Sequence, residues 1–244
     1  MRKNLPNILL VVIDCARSDK WLGPGRTTIT HNLDRLCREG VSFPNVIVEK
    51  SFTLPAFSAL LTGLYSFRHD VHMAWGYRLP QSLPLLTHIL VEQGYTTYAE
   101  VTGPLLPEMG FDRAFDYYEY RAPCDYLYTA WGDQFLSRLR NGYYCKPWFL
   151  LLHLFELHKS QRTSADHNRP ESGLTRYERA VSGLDKHLGR VFSAVEEDTL
   201  VVLTGDHGEK TELETFRDGT AISYCSNLLN IEQATGMPLY RIAY

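Results

Sequence analysis

Residues Thr199–Glu209 read TLVVLTGDHGE. The apolar run Leu200–Leu203 predicts a buried strand, and Gly205 and Gly208 let the backbone bend tightly after it, so Asp206 and His207 are presented side by side. A carboxylate beside an imidazole suits a borderline divalent cation. Taken alone, the segment also reads as a strand that ends in a polar turn. The rest of the chain has to decide between the two.

Working outward, two more apolar runs stop at potential ligands. Ile8–Ile13 leads into Asp14, and Phe149–Phe155 leads to Glu156 and His158. Around them the patterns alternate between strand and helix. Asn7–Ile13, Val41–Val48, Thr96–Val101, Trp148–Phe155 and Thr199–Leu203 read as strands. His31–Glu39 before Gly40, Leu54–Leu61 before Gly63, Leu83–Gln93 before Gly94, and Arg176–Val195 read as helices. This order predicts an α/β fold, a mostly parallel sheet with helices on both faces, whose ligand site lies at the carboxyl ends of the strands. Asp14, singly a turn or cap residue, then joins Glu156, His158, Asp206 and His207 in a set able to converge on one cation.

The fourth element is Ser51–Gly63, SFTLPAFSALLTG. Thr53 stands just before Pro55 and a run of helix formers, near the N-terminus of the predicted helix, where free N–H groups and the positive end of the dipole lie. A plain N-cap is one reading. The other is a hydroxyl nucleophile whose helix receives the anionic group being transferred.

Composition limits the classes open to the chain. At 244 residues, 44% hydrophobic and 12% aromatic, it can bury a large core, and one α/β domain over residues 1–244 is the simplest expectation. The net charge of −3 comes with dispersed lysines and arginines, which argues against nucleic acid and for a small discrete partner. No run of eighteen apolar residues predicts a membrane span, and MRKNLPNILLVVID enters a strand directly, so a cytoplasmic location is expected. The five cysteines, Cys15, Cys37, Cys124, Cys145 and Cys225, lack CxxC spacing and read as reduced thiols.

With these residues in hand, the chain resembles the sulfatase-like branch of the alkaline phosphatase superfamily, which includes sulfatases, phosphonate monoester hydrolases and phosphoglycerol transferases. The resemblance runs in family order through PNILLVVIDCARSD, SFTLPAFSALLTGLYSFRHDVH, GFDRAFDYYEY, FLLLHLFELHKS, YERAVSGLDKHLGRVF and VVLTGDHGE, nearly residues 5 to 210. It implies an alkaline-phosphatase-like three-layer sandwich. It implies also that Asp14, Asp206 and His207 bind a divalent metal with the oxygen of Thr53, and that His158 contacts the phosphate or sulfate oxygens of a small anionic ester. His69, in RHDVH, matches a frequent family histidine for which a packing role fits as well. His153 lies within an apolar strand and reads as a core histidine.

Departures from the family pattern bear on the substrate. Sulfatases of this kind place a cysteine, oxidised to formylglycine, two residues before the motif proline and an arginine two residues after it; here Thr53 and Phe57 stand there. Threonine cannot become formylglycine, and Phe57 cannot steady an anion. Threonine nucleophiles belong mostly to phosphoryl-transferring members, which leads to an expected metal-dependent hydrolase of phosphate mono- or diesters, or of phosphonate or sulfate esters, through a covalent threonine intermediate. A transferase to an alcohol acceptor and an anion-binding homologue without turnover are the alternatives.

The spacing of the two-zinc relatives is absent, and Glu156 and His158 would need a further histidine to form a second site. One divalent ion (Mn, Mg, Ca or Zn) is expected, and the oxygen-rich set leans toward the harder cations. Lys159 and Lys210 read first as surface lysines. Residues 211–244 match the family pattern poorly by eye and are expected to be an atypical or truncated C-terminal portion.

Overall fold

Strands Asn7–Ile13 (β1) and Trp148–Leu154 (β4) are apolar at nearly every position because both of their faces are covered. The computed structural model describes residues 5–158 and 162–209. After β1 come helices Ser18–Trp21 (α1), His31–Glu39 (α2), Thr53–Thr62 (α3), Ser66–His69 (α4) and Leu86–Glu92 (α5). Strands Thr96–Val101 (β2) and Tyr117–Tyr120 (β3), helix Ala130–Arg140 (α6), β4, helix Arg176–Phe192 (α7) and strand Thr199–Gly205 (β5) complete the order. All pairings are parallel, in the sequence β3-β2-β4-β1-β5. The register sets Ile13 opposite both Leu154 and Gly205, so β4, β1 and β5 end together at one edge.

Side-chain parity along the strands divides the core in two. Leu9, Val11 and Ile13 of β1 with Leu150, Leu152 and Leu154 of β4 pack on α6 and α7. Leu10 and Val12 with Phe149 and Leu151 pack on Leu54, Phe57 and Leu61 of α3. Helices therefore cover both faces, which is the expected three-layer α/β sandwich. Helix α7 begins with a reciprocal capping box: Thr175 Oγ1 accepts from Glu178 N at 3.1 Å, and Glu178 Oε2 accepts from Thr175 N at 2.8 Å. Helix α3 ends at Gly63, whose φ of 69° is the left-handed turn that glycine adopts without cost.

Two local expectations fail for identifiable reasons. The expected strand Val41–Val48 is an irregular segment with Val41, Phe43 and Ile47 largely exposed. Pro44, in its middle, has no N–H to give a ladder. Helix α6 escapes a reading based on propensity because of Gly132 in its first turn. The glycine is there for space, since a Cβ would overlap the carbonyl of Leu127. Among the described residues, no helix is long and apolar enough to cross a membrane.

Alanine is the better helix former, yet Gly132→Ala is expected to destabilise the protein by about 1–3 kcal/mol, because backbone rather than a side chain must move. Urea unfolding of the variant, read by circular dichroism, checks the sign.

Candidate functional site

The common end of β4, β1 and β5 brings the predicted residues together. Asp14 continues the ladder one step beyond β1, with its N–H donating to Leu154 O at 2.8 Å, and its side chain is fully buried. Asp206 follows β5; its Oδ1 accepts from Cys15 N at 3.1 Å and from His207 N at 2.7 Å, which ties the two strand ends to each other. The loop after β1 turns at Cys15 in the left-handed region, φ 61°. Tyr177 of α7 holds it there, donating to Cys15 O at 2.7 Å and accepting from Arg17 N at 2.9 Å.

Thr53 is the first residue of α3, and Phe52 occupies the cap position with no side-chain cap bond. Freed from capping, the Thr53 hydroxyl donates to Asp14 Oδ2 at 3.0 Å and lies 3.3 Å from His207 Nε2. Thr53 is therefore not the N-cap, because Phe52 holds that position. The first intrahelical bond runs from Ala56 N to Phe52 O. The N–H groups of Thr53 and Leu54 precede it at the positive end of the helix.

Two carboxylates without a nearby cation are costly in so dry a place. Burial raises Asp206 well above the ordinary carboxylate value, and the Asp14 charge raises it further. Burial works against the Asp14 charge as well. Burial and Asp14 together push the Cys15 thiol up, so it stays protonated. Asp14 Oδ1, Asp206 Oδ2 and His153 Nε2 are all buried without a hydrogen-bond partner. A divalent cation fits this donor set: it would satisfy the orphaned atoms and balance the carboxylate charges in one step.

The cluster contains one residue that the sequence reading set aside. His153 sits on β4 with its side chain on the α3 face, fully buried, and its Nε2 lies 3.6 Å from Asp14 Oδ2. It is not a satisfied core histidine. The only sequence signal was a lone imidazole near the end of an otherwise apolar strand. Phe57 packs edge-on against that ring, 4.9 Å between centroids. Tyr177 was likewise invisible, since nothing in its own segment points to the loop it clamps.

Other expected residues stand apart from the cluster. His158 is half-buried and stacks on Phe155 at 4.3 Å; among the described residues its ring has no hydrogen bond to Asp14, Thr53, Asp206 or His207. Glu156 turns away and accepts from Leu127 N at 2.8 Å. His69 is buried and accepts from Val71 N at 3.1 Å, a packing role. Lys159 and Lys210 lie outside the described residues.

A parallel sheet with a buried acidic and imidazole cluster at its strand ends is the setting in which comparison with known proteins becomes informative. The sulfatase family matches residues 6–237. The chain belongs to the sulfatase family. The match reaches beyond Glu209, where the motif resemblance stops, into residues outside the described set. Human arylsulfatase D is 32% identical over 103 residues, 38% of this chain and 17% of that protein. The multifunctional alkaline phosphatase superfamily protein PehA of Trinickia caryophylli is 44% identical over 69 residues, 26% of this chain and 13% of that protein. The phosphonate monoester hydrolase of Agrobacterium radiobacter superposes with a TM-score of 0.66 at 17% identity, over 84% of this chain and 63% of that one. The chain thus spans only part of the length of these proteins.

Tyr177→Phe keeps the ring and removes the hydroxyl that Cys15 O and Arg17 N share. We expect a loss of about 1–3 kcal/mol, measurable by denaturant unfolding. A change below a few tenths would show that the loop after β1 does not depend on this clamp.

Proposed function

We propose that the protein is a metal-dependent ester hydrolase with Thr53 as its nucleophile, acting on small phosphate mono- or diesters or on phosphonate or sulfate esters. The observation that carries this reading is the Thr53 hydroxyl, which opens α3 and donates to Asp14 at 3.0 Å instead of capping its own helix. Asp14, Asp206, His207 and the Thr53 oxygen would hold the cation. Once bound, a divalent ion supplies positive charge that favours an ionised hydroxyl beside it and offsets charge in the transition state.

The chain's own residues do the rest. Asp14 fixes the direction of the Thr53 O–H bond, so the oxygen lone pairs point away from that carboxylate. The N–H groups of Thr53 and Leu54, aided by the helix dipole, favour an anionic phosphoryl or related group at the start of α3. Attack forms a bond from Thr53 Oγ1 to phosphorus while the bond to the leaving alcohol's oxygen breaks. Water then cleaves the covalent ester, giving the free acid and restoring the hydroxyl. His158, at the end of β4, takes its role from the family pattern, contacting the non-bridging oxygens of the substrate.

Two features favour phosphorus over sulfur as the reacting centre. A threonine cannot yield the formylglycine of sulfatases, and Phe57, buried against His153, replaces the arginine that would steady a sulfate. The hydrolase from Agrobacterium radiobacter, a phosphonate monoester enzyme by name, is consistent with that direction.

The test is the purified chain loaded with Mn or Zn and offered p-nitrophenyl phosphate, its phenyl diester and a phosphonate monoester. Turnover is expected with at least one, and Thr53→Ala should lower kcat/KM by roughly a thousandfold or more with an unchanged circular dichroism spectrum. Bound metal without turnover of any ester would sink the hydrolase reading. A glycerol adduct in place of the free acid would identify a transferase.

A further inference from the structure

Two histidines at this site share an arrangement that the family pattern explains for only one of them. His207 Nδ1 lies 2.9 Å from Gly208 O, and His153 Nδ1 lies 3.2 Å from Thr102 O. A carbonyl oxygen only accepts, so in each ring Nδ1 carries the proton and donates it. In the tautomer that this bond selects, Nε2 is the nitrogen left to act as a ligand. This is how a ligating imidazole is held: one nitrogen anchored to a carbonyl, the other free for the metal.

Both Nε2 atoms point at the carboxylates. His207 Nε2 is 3.5 Å from Asp206 Oδ2, and His153 Nε2 is 3.6 Å from Asp14 Oδ2. Asp14, His153 and Asp206 each offer a ligand atom within 4.8 Å of the others, and all three residues are buried. His153 Nε2 faces a carboxylate oxygen with no other partner, and both residues are fully buried, with Phe57 and Phe155 against the His153 ring. Two acceptors in contact are unfavourable unless something positive joins them. The neighbouring separations, 3.0 Å from Thr53 Oγ1 to Asp14 Oδ2 and 3.3 Å from Thr53 Oγ1 to His207 Nε2, are of the same kind. Ligand bonds of about 2.0–2.2 Å to zinc place adjacent ligand atoms roughly 3.3–3.6 Å apart at tetrahedral angles and closer, to about 3 Å, where a fifth donor joins. The His153–Asp14 edge belongs in that range.

We propose that His153 is itself a ligand of the divalent cation, through Nε2, and that a second nitrogen in the donor set makes the site select Zn(II) over Mg(II) and Ca(II). The inference rests on the reading that the cluster holds a cation. It reverses the preference expected from an oxygen-rich set. Two candidate donor groups share Asp14, one with Cys15 and His207 and the other with His153 and Asp206, so a cation drawing on both meets two imidazoles, whereas magnesium and calcium favour oxygen alone. Phe57 packs edge-to-face on the His153 ring from α3.

The experiment uses the full chain, stripped with a chelator and titrated with Zn(II), Mg(II) and Ca(II) against a chromophoric competitor. The wild type should bind one Zn(II) with a clear margin over the other two ions. His153→Gln, which cannot reproduce the imidazole nitrogen, should weaken Zn(II) at least tenfold while Asp14→Asn removes it. X-ray absorption at the zinc edge of the wild type needs no variant and should count two imidazoles. One imidazole, or unchanged Zn(II) affinity in a folded His153→Gln protein, overturns the His153 ligand and leaves the cation reading standing. No Zn(II) on the wild type, or equal binding by Asp14→Asn, overturns the cation reading and the ligand with it. One imidazole together with a weakened His153→Gln would mean that a proton, not the metal, joins His153 to Asp14.

Discussion

Everything at the candidate site depends on the register of three parallel strands. Because Ile13 stands opposite Leu154 and Gly205, β4, β1 and β5 stop together, and whatever follows them in sequence meets in space. A slip of one residue would turn Leu9, Val11 and Ile13 toward α3 and rotate the following aspartate out of the cluster. Register here is protected by burial on both sides, with α6 and α7 packed on one core and α3 on the other. Stability and site geometry thus rest on the same contacts.

The cluster itself is a set of groups that would not tolerate one another in isolation. Burial opposes the charge on Asp206, Asp14 adds repulsion, and His153 Nε2 is buried without a hydrogen-bond partner. Hydrogen bonds from Cys15 N and His207 N satisfy one Asp206 oxygen and leave the other free. The remaining deficit is one of positive charge, which the proposed cation would supply.

Much of the architecture was legible because buried parallel strands leave continuous apolar runs, and because Asp14, Asp206 and His207 stand where such runs stop. Thr53 was legible from Pro55 and the helix formers behind it. What stayed hidden was hidden by geometry across the chain. His153 belongs to the site only because strand parity points it toward α3, and an apolar run gives no hint of which face is which. Tyr177 acts on a loop 162 residues away in sequence. Val41–Val48 misled in the opposite sense: its composition is that of a strand, but Pro44 breaks the ladder that composition alone suggests.

The bond between Cys15 N and Asp206 Oδ1 spans 191 residues. Closing so large a loop comes late in folding, after the local helices have formed, because its entropy must be overcome before the contact returns anything. During synthesis the first aspartate emerges long before its partner, and no half of the chain holds the pair. Assembly of the acidic cluster therefore coincides with completion of the sheet, so a partly made or partly unfolded chain is spared the repulsion that the finished protein must accommodate.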